Sequence, residues 1–133
     1  MSTETVSHGK LLRLFAAIGP YLRSEQSSQD GYFFDCLAVC VSAKAEPEKR
    51  EFWGWWLKLV PKSDQYFEFH YRLGHFGGEG GEWQERDIPR KHEEEVARTL
   101  RDFYDKLAAC LDELSLSAGP APELGDKHLL SPA

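Results

Sequence analysis

Residues 50–57 place four large aromatic side chains within five successive positions, and this run constrains the fold more than any other part of the chain. Successive side chains of a β-strand point to opposite faces, so Trp53 and Trp55 would share one face while Phe52 and Trp56 share the other. A strand with one solvated face carries a polar residue at every second position, and this run does not. The sequence therefore predicts a strand that is buried on both sides or that presents aromatic rings to a partner.

The size and charge of the chain narrow the classes of function. Its 133 residues suit one domain with one hydrophobic core. Sixteen Lys and Arg against 22 Asp and Glu give a net charge of -6, which repels nucleic-acid phosphates, so we expect no sequence-specific contact with nucleic acid. The first residues lack the apolar run of a secretory signal, and no stretch approaches the roughly 20 apolar residues that cross a bilayer. We therefore expect a cytoplasmic protein without a membrane span.

The periodicity of the apolar residues predicts two helices and four strands. In residues 8–18 they recur at helical spacing, with Ser7 as the N-cap. Residues 91–115 carry an apolar stripe at spacings of three or four, which is typical of a long amphipathic helix. Predicted strands cover residues 32–41, 51–60 and 67–73, and a short fourth strand surrounds Trp83.

These elements predict an α+β fold, in which an antiparallel sheet of about four strands carries the short N-terminal helix and the long C-terminal helix on one face. Residues 1–117 would form the single domain. Residues 118–133 lack periodicity and are rich in Pro, Gly and charge, so we expect a flexible C-terminal tail there.

One face of such a sheet would lack a helical cover. Four strands spaced about 4.8 Å apart give a width of roughly 19 Å, and two helices of about 10 Å diameter cover that width once. The aromatic side chains of the other face could form a protein-docking surface. Alternatively, the loops at residues 24–31 and 43–49 fold over them, or the chain dimerises. On the residues alone, docking and these simpler arrangements carry equal weight.

Residues that resemble chemical sites have simpler explanations. His70, His75 and Glu79 do not have the spacing of a zinc site, and Cys36 in an apolar strand is more typical of a core residue than of a nucleophile. The glycine-rich residues 75–81 lack the Lys-Ser/Thr of a phosphate-binding loop. We therefore expect no enzyme, no metal and no cofactor. Two rival hypotheses are a small-molecule binding domain with an aromatic cleft and a hydrolase that uses Cys36.

Three segments resemble the Crl family of sigma factor-binding proteins from gamma-proteobacteria: Gly19-Pro20-Tyr21, residues 33–41 and residues 50–56. The similarity continues through Trp83 to Phe103, while the two ends and the loops at residues 24–31 and 62–65 differ. The resemblance implies a small cytoplasmic α+β protein that binds domain 2 of the stationary-phase sigma factor. It further implies that the protein favours assembly of that sigma factor with core RNA polymerase, and so activates stress genes without reading DNA. We expect it to act as a monomer.

The resemblance also implies which residues contact the sigma factor: Pro20, Tyr21, Arg50, Phe52, Trp55 and Trp83. Phe52 and Trp55 have opposite parity, so a regular strand would point them to opposite faces. Either Gly54 forms a bulge that changes the alternation, or Phe52 belongs to the preceding loop.

Overall fold

The computed structural model describes residues 7–41, 50–63, 65–77 and 82–122, and these form an α+β fold as predicted. A single 3-10 turn, Ser24–Gln26, lies between the first helix and the first strand. In chain order the helices and strands are α1 His8–Ala17, β1 Tyr32–Cys40, β2 Phe52–Pro61, β3 Tyr66–Gly77, β4 Glu82–Glu85, α2 Arg90–Glu113 and β5 Ser117–Pro120.

The N-terminal helix begins where its sequence predicts. The Ser7 hydroxyl accepts a hydrogen bond from the Lys10 N–H at 3.1 Å, which satisfies one of the free donors of the first turn. Leu11 and Phe15, four residues apart, form the buried side of α1. The Phe15 ring meets Tyr32 edge-on, with 5.1 Å between centroids, so α1 packs on the first strand.

The sheet has the order β1-β2-β3-β4 with antiparallel neighbours, and β5 pairs parallel to β3. The β2 and β3 strands pair without interruption from Phe52 opposite Phe76 to Pro61 opposite Phe67. The register between β1 and β2 shifts between Leu37 and Val39, so the irregularity lies on β1.

Both helices pack on the same face of the sheet. The apolar stripe of α2 is buried, and its Phe103 ring contacts Phe34 of β1 and Trp55 of β2 at centroid distances of 5.0 and 4.9 Å. Phe15 of α1 also contacts Phe34, at 5.6 Å. This face therefore holds the core, to which the strands contribute Tyr32, Phe34, Trp55, Leu57, Leu59, Phe67, Phe69 and Tyr71.

The structure corrects the predicted start of the C-terminal tail. Ser117–Pro120 pair with the first residues of β3, and Ala121 is buried, so the chain is still part of the fold beyond residue 118. The Ala121 N–H also donates to the Phe69 carbonyl at 2.8 Å. A four-residue strand without alternating hydrophobicity gives no sequence signal, because its pairing is with a distant segment. The rest of the predicted tail, residues 123–133, lies outside the described residues.

Candidate partner-binding surface

The face of the sheet opposite the helices, which we call the open face, carries a cluster of half-buried aromatic rings. Residues opposite each other in neighbouring strands share a face, so Phe52, Phe76 and Trp83 lie together. The Trp83 ring lies 4.9 Å from Trp56 and 5.2 Å from Phe76 between centroids. We call Phe52, Trp56, Phe76 and Trp83 the open-face cluster, and all four retain part of their surface exposed.

Gly54 lets the Trp83 ring lie directly over the backbone of β2. A Cβ atom at this position would be 3.0 Å from Cη2 of Trp83 and would overlap the backbone carbonyl of Cys36. Only glycine permits both approaches. The indole of Trp83 therefore packs directly on the backbone of β2 at Gly54.

The polar end of the same indole reaches a buried carboxylate. Trp83 Nε1 donates to Oδ2 of Asp35 at 3.0 Å, and Arg23 Nε donates to Oδ1 at 2.6 Å. Asp35 is 6% exposed and lies opposite Trp56 in the β1–β2 register, which places it on the open face. The segment before β1 and the edge strand β4 are thereby joined across this face.

Tyr21 is placed differently, since its ring lies on the helix side. It stacks on Trp55 with 5.8 Å between centroids and meets Phe103 edge-on at 5.0 Å. Burial, followed by the nearby Cys36 and Asp102, raises the pKa of the Tyr21 phenol, against the opposing effect of Arg98. The ring is half-buried and the preceding Pro20 is exposed, so both have accessible surface.

Trp55, which the resemblance implies as a partner contact, is fully buried in the structure. Its side chain has no exposed surface, and its Nε1 donates to Thr99 Oγ1 of α2 at 3.1 Å. A buried indole with a satisfied donor is a core residue. In this conformation Trp55 has no accessible surface, and its ring packs against that of Tyr21.

The two explanations offered for the parity of Phe52 and Trp55 are both wrong. The β2–β3 register passes Gly54 without a bulge, and Phe52 is the first residue of β2 rather than part of the preceding loop. The bulge lies on β1 instead, beside Gly54. Phe52 and Trp55 consequently point to opposite faces, as regular alternation requires.

Arg50 lies two residues before the start of β2, beside Phe52 of the open-face cluster. Arg50 is half-buried. A Cβ atom on Gly77 would come within 2.7 Å of the Arg50 carbonyl oxygen, so the backbone before β2 lies close to the end of β3. Gly77 has φ of 135°, a conformation that favours glycine. The next residue, Glu51, pairs with His75 Nε2 at 2.7 Å, which fixes this end of β2 against β3.

The predicted contact residues thus separate into groups. Phe52 and Trp83 share the open face, with Arg50 beside them, whereas Pro20 and Tyr21 lie at the outer edge of β1 and Trp55 lies in the core. The Tyr21 carbonyl accepts from the Asp35 N–H at 3.0 Å, so the first two groups are connected through Asp35.

Sequence reasoning missed four residues of the open face, although signals for three of them were present. Trp56 has the same parity as Phe52, and Phe76 breaks the parity of the buried residues of β3, so both belong to the uncovered side. Asp35 is a charge within the apolar run of β1, which indicates a buried and paired group. Its partner Arg23 has no comparable signal.

The rival chemical sites lack support in the residues described. Burial raises the pKa of the Cys36 thiol, more than its hydrogen bond to Thr99 lowers it, so the reactive thiolate is disfavoured. Within residues 7–41, 50–63, 65–77 and 82–122, no group of three His, Cys, Asp or Glu could hold a metal ion. Glu79, part of the imagined metal set, lies outside these ranges.

Comparison with known proteins identifies the family. The model of the family described as "Sigma factor-binding transcriptional regulator Crl" matches residues 1–128. The chain belongs to the Crl family. A Crl relative from Photobacterium profundum, named sigma factor-binding protein Crl, is 47% identical over 115 residues, or 85% of each chain. Proteins of the same name from Vibrio cholerae and Vibrio vulnificus are 43% and 41% identical over 111 residues, or 84% of each chain.

The Crl family consists of transcriptional regulators that bind a sigma factor. Among the helices described, none combines the length and apolar character needed to cross a membrane.

Proposed function

We propose that this protein binds domain 2 of the stationary-phase sigma factor and promotes its assembly with core RNA polymerase. It thereby activates transcription of stress and stationary-phase genes, and it does so without specific contact with DNA. It acts in the cytoplasm as a monomer, as a single folded domain and without enzymatic activity. The membership of the chain in a sigma factor-binding family supports this proposal.

The observation that carries the proposal is the open-face cluster. The sheet face that α1 and α2 do not cover carries four half-buried rings with some accessible surface: Phe52, Trp56, Phe76 and Trp83. Aromatic rings lose little side-chain entropy on binding and bury a large apolar area, so they commonly dominate the affinity of protein interfaces. The cluster is therefore the natural centre of a docking surface.

Arg50 supplies the polar part of this surface. Its guanidinium can offer two parallel donors to a carboxylate of the sigma factor, which fixes orientation as well as adding affinity. The net charge of -6 disfavours direct binding to DNA, so an effect on transcription would pass through the protein partner. Pro20, Tyr21, Arg50, Phe52 and Trp83 form the proposed contacts, with Trp55 supporting Tyr21.

Binding alone can promote assembly, provided that it is selective. A ligand shifts an equilibrium only by the difference in its affinity for the two states. The protein must therefore bind the polymerase-competent arrangement of the sigma factor more tightly than the free one. By linkage, core polymerase must then increase the affinity of the sigma factor for this protein by the same factor.

The proposal is tested with Arg50→Ala and Phe52→Ala. Titration calorimetry with purified domain 2 of the stationary-phase sigma factor is expected to show binding at least about tenfold weaker for each variant, because central aromatic and Arg residues contribute most. Tyr66→Ala removes an exposed aromatic ring at the far end of β3 and should bind like the wild type. Unchanged affinity in both test variants, with circular dichroism showing intact folds, would reject the surface.

The small-molecule alternative has less support. The Trp83 ring contacts Trp56 on one side and Phe76 on another, and it also lies on the backbone at Gly54. Rings that fill the space between them form a patch rather than a cleft, and a patch suits a macromolecular partner.

A further inference from the structure

The carboxylate of Asp35 is buried on the open face, although β1 is otherwise largely apolar. Its side chain accepts hydrogen bonds from Arg23 Nε at 2.6 Å and from Trp83 Nε1 at 3.0 Å. Its backbone N–H donates to the Tyr21 carbonyl at 3.0 Å. One residue thus binds Arg23 and two of the proposed partner contacts, Tyr21 and Trp83.

Stability alone does not account for a charge at this position. Burying a carboxylate is unfavourable unless it is paired, and a buried ion pair is often no more stabilising than apolar residues of the same volume. Asp35 is only 6% exposed, while its partner Arg23 retains 35% of its side-chain surface. The arrangement instead gives directional hydrogen bonds, which fix geometry where apolar packing would not.

The geometry that Asp35 fixes is that of the Trp83 ring. One end of the indole is held by the hydrogen bond to Asp35, the other lies over Gly54, and Trp56 and Phe76 flank it. Strand β4, which carries Trp83, has only four residues and lies at the edge of the sheet. A short edge strand restrains a side chain weakly, so the hydrogen bond is the main directional restraint on the ring.

We propose that Asp35 is a positioning residue for partner binding: together with its ion-pair partner Arg23, it holds Trp83 in its docking orientation before the partner arrives. Side chains that are already ordered lose less conformational freedom on association, which increases affinity. The inference rests on the proposed function, because it concerns the same surface. It assigns Asp35 no contact with the partner.

Asp35→Asn is the direct test. Asparagine keeps the shape of the side chain but has one acceptor oxygen, so Arg23 or Trp83 loses its partner. Affinity for purified sigma domain 2 is expected to fall about tenfold. Glu85→Gln is the matched control, because it removes one negative charge from an exposed carboxylate on the same face and should leave the affinity unchanged.

A double-mutant cycle with Trp83→Phe separates positioning from general stability. Phenylalanine keeps an aromatic ring but has no N–H, so it removes the bond to Asp35 and should itself weaken binding. In this background Asp35→Asn is expected to weaken binding by less than about threefold, because the hydrogen bond between residues 83 and 35 is already absent. An equal loss in both backgrounds would overturn the inference, and wild-type affinity of Asp35→Asn or of Trp83→Phe would do the same.

The indole N–H resonance of Trp83 in the free protein distinguishes this inference from the proposed function. Asp35→Asn is expected to shift or broaden it, independently of any partner. If the wild type does not bind the sigma domain, the proposed function fails and the docking role falls with it, even if the resonance moves. If the wild type binds and Asp35→Asn binds equally well, only the positioning role fails. Should Asp35→Asn not fold, Trp83→Phe alone decides the outcome.

Discussion

Trp55 and Trp83 both use their indole N–H groups, but the two groups are held on opposite faces of the sheet. Trp55 donates to Thr99 of the long helix within the core, whereas Trp83 donates to Asp35 on the open face. The resemblance to the Crl family implies that both are partner contacts. The sequence does not distinguish their tasks, because parity separates the faces of a strand without showing which face the helices cover.

The core role of Trp55 predicts a specific effect at Thr99. Thr99→Val removes the acceptor and leaves a buried N–H without a partner, so the free energy of unfolding should fall by about 1–3 kcal/mol. Thr99→Ser keeps the hydroxyl and should lose less than about 1 kcal/mol, since it removes one half-buried methyl group. Urea unfolding followed by Trp fluorescence measures both values. Equal stability of Thr99→Val and the wild type would show that this hydrogen bond contributes nothing.

At the scale of elements, the periodic segments were predictable and the non-local pairings were not. The apolar stripe of α2 and the alternation of Phe67, Phe69 and Tyr71 in β3 are local patterns, and the structure confirms both. The pairing of β5 with β3 and the bulge at Leu37–Val39 depend on contacts between distant segments. A local pattern carries no information about those contacts, and the hydrogen bonds of Asp35 were missed for the same reason.

The close packing of β1, β2 and β4 predicts that Gly54 tolerates no side chain. Gly54→Ala would bring a methyl group into the Cys36 carbonyl and against Trp83, which should destabilise the fold by about 3 kcal/mol. Gly9→Ala is the matched control, because α1 leaves its Cβ position open to solvent and alanine should stabilise the helix by up to about 1 kcal/mol. Thermal unfolding should therefore shift in opposite directions. A Gly54→Ala variant as stable as the wild type would mean that β1 and β2 separate at little cost.

At the scale of the whole molecule, the number of helices and strands determines how much of the sheet the helices can cover. Two helices cannot cover both faces of this sheet, and in the structure both lie on one face. The number of helices and strands in the sequence therefore predicts a sheet face without a helical cover. The particular rings that fill it follow only from the register, which places Phe76 and Trp83 beside Phe52 and puts Trp55 on the opposite side.

Tyrosines and a cysteine that are wholly or partly buried predict a loss of stability at high pH. Burial raises the pKa of Tyr32, Tyr104 and Cys36, so each group keeps its proton more tightly in the folded chain than in the unfolded one. Below the unfolded pKa values the two states bind the same number of protons, and this stability is fully present. As the pH rises above about 9 the unfolded chain loses protons first, so the free energy of unfolding decreases.

Urea unfolding at pH 7, 9 and 10.5 measures this decrease. Tyr32→Phe removes one of the responsible phenols together with its hydrogen bond to His8, which is 2.8 Å long. The variant should therefore be less stable at pH 7 but should lose less stability between pH 9 and 10.5 than the wild type. Tyr104→Phe should show the same shallower slope. Slopes identical to that of the wild type in both variants would mean that these phenols ionise as easily in the folded chain as in the unfolded one, against the burial that raises their pKa.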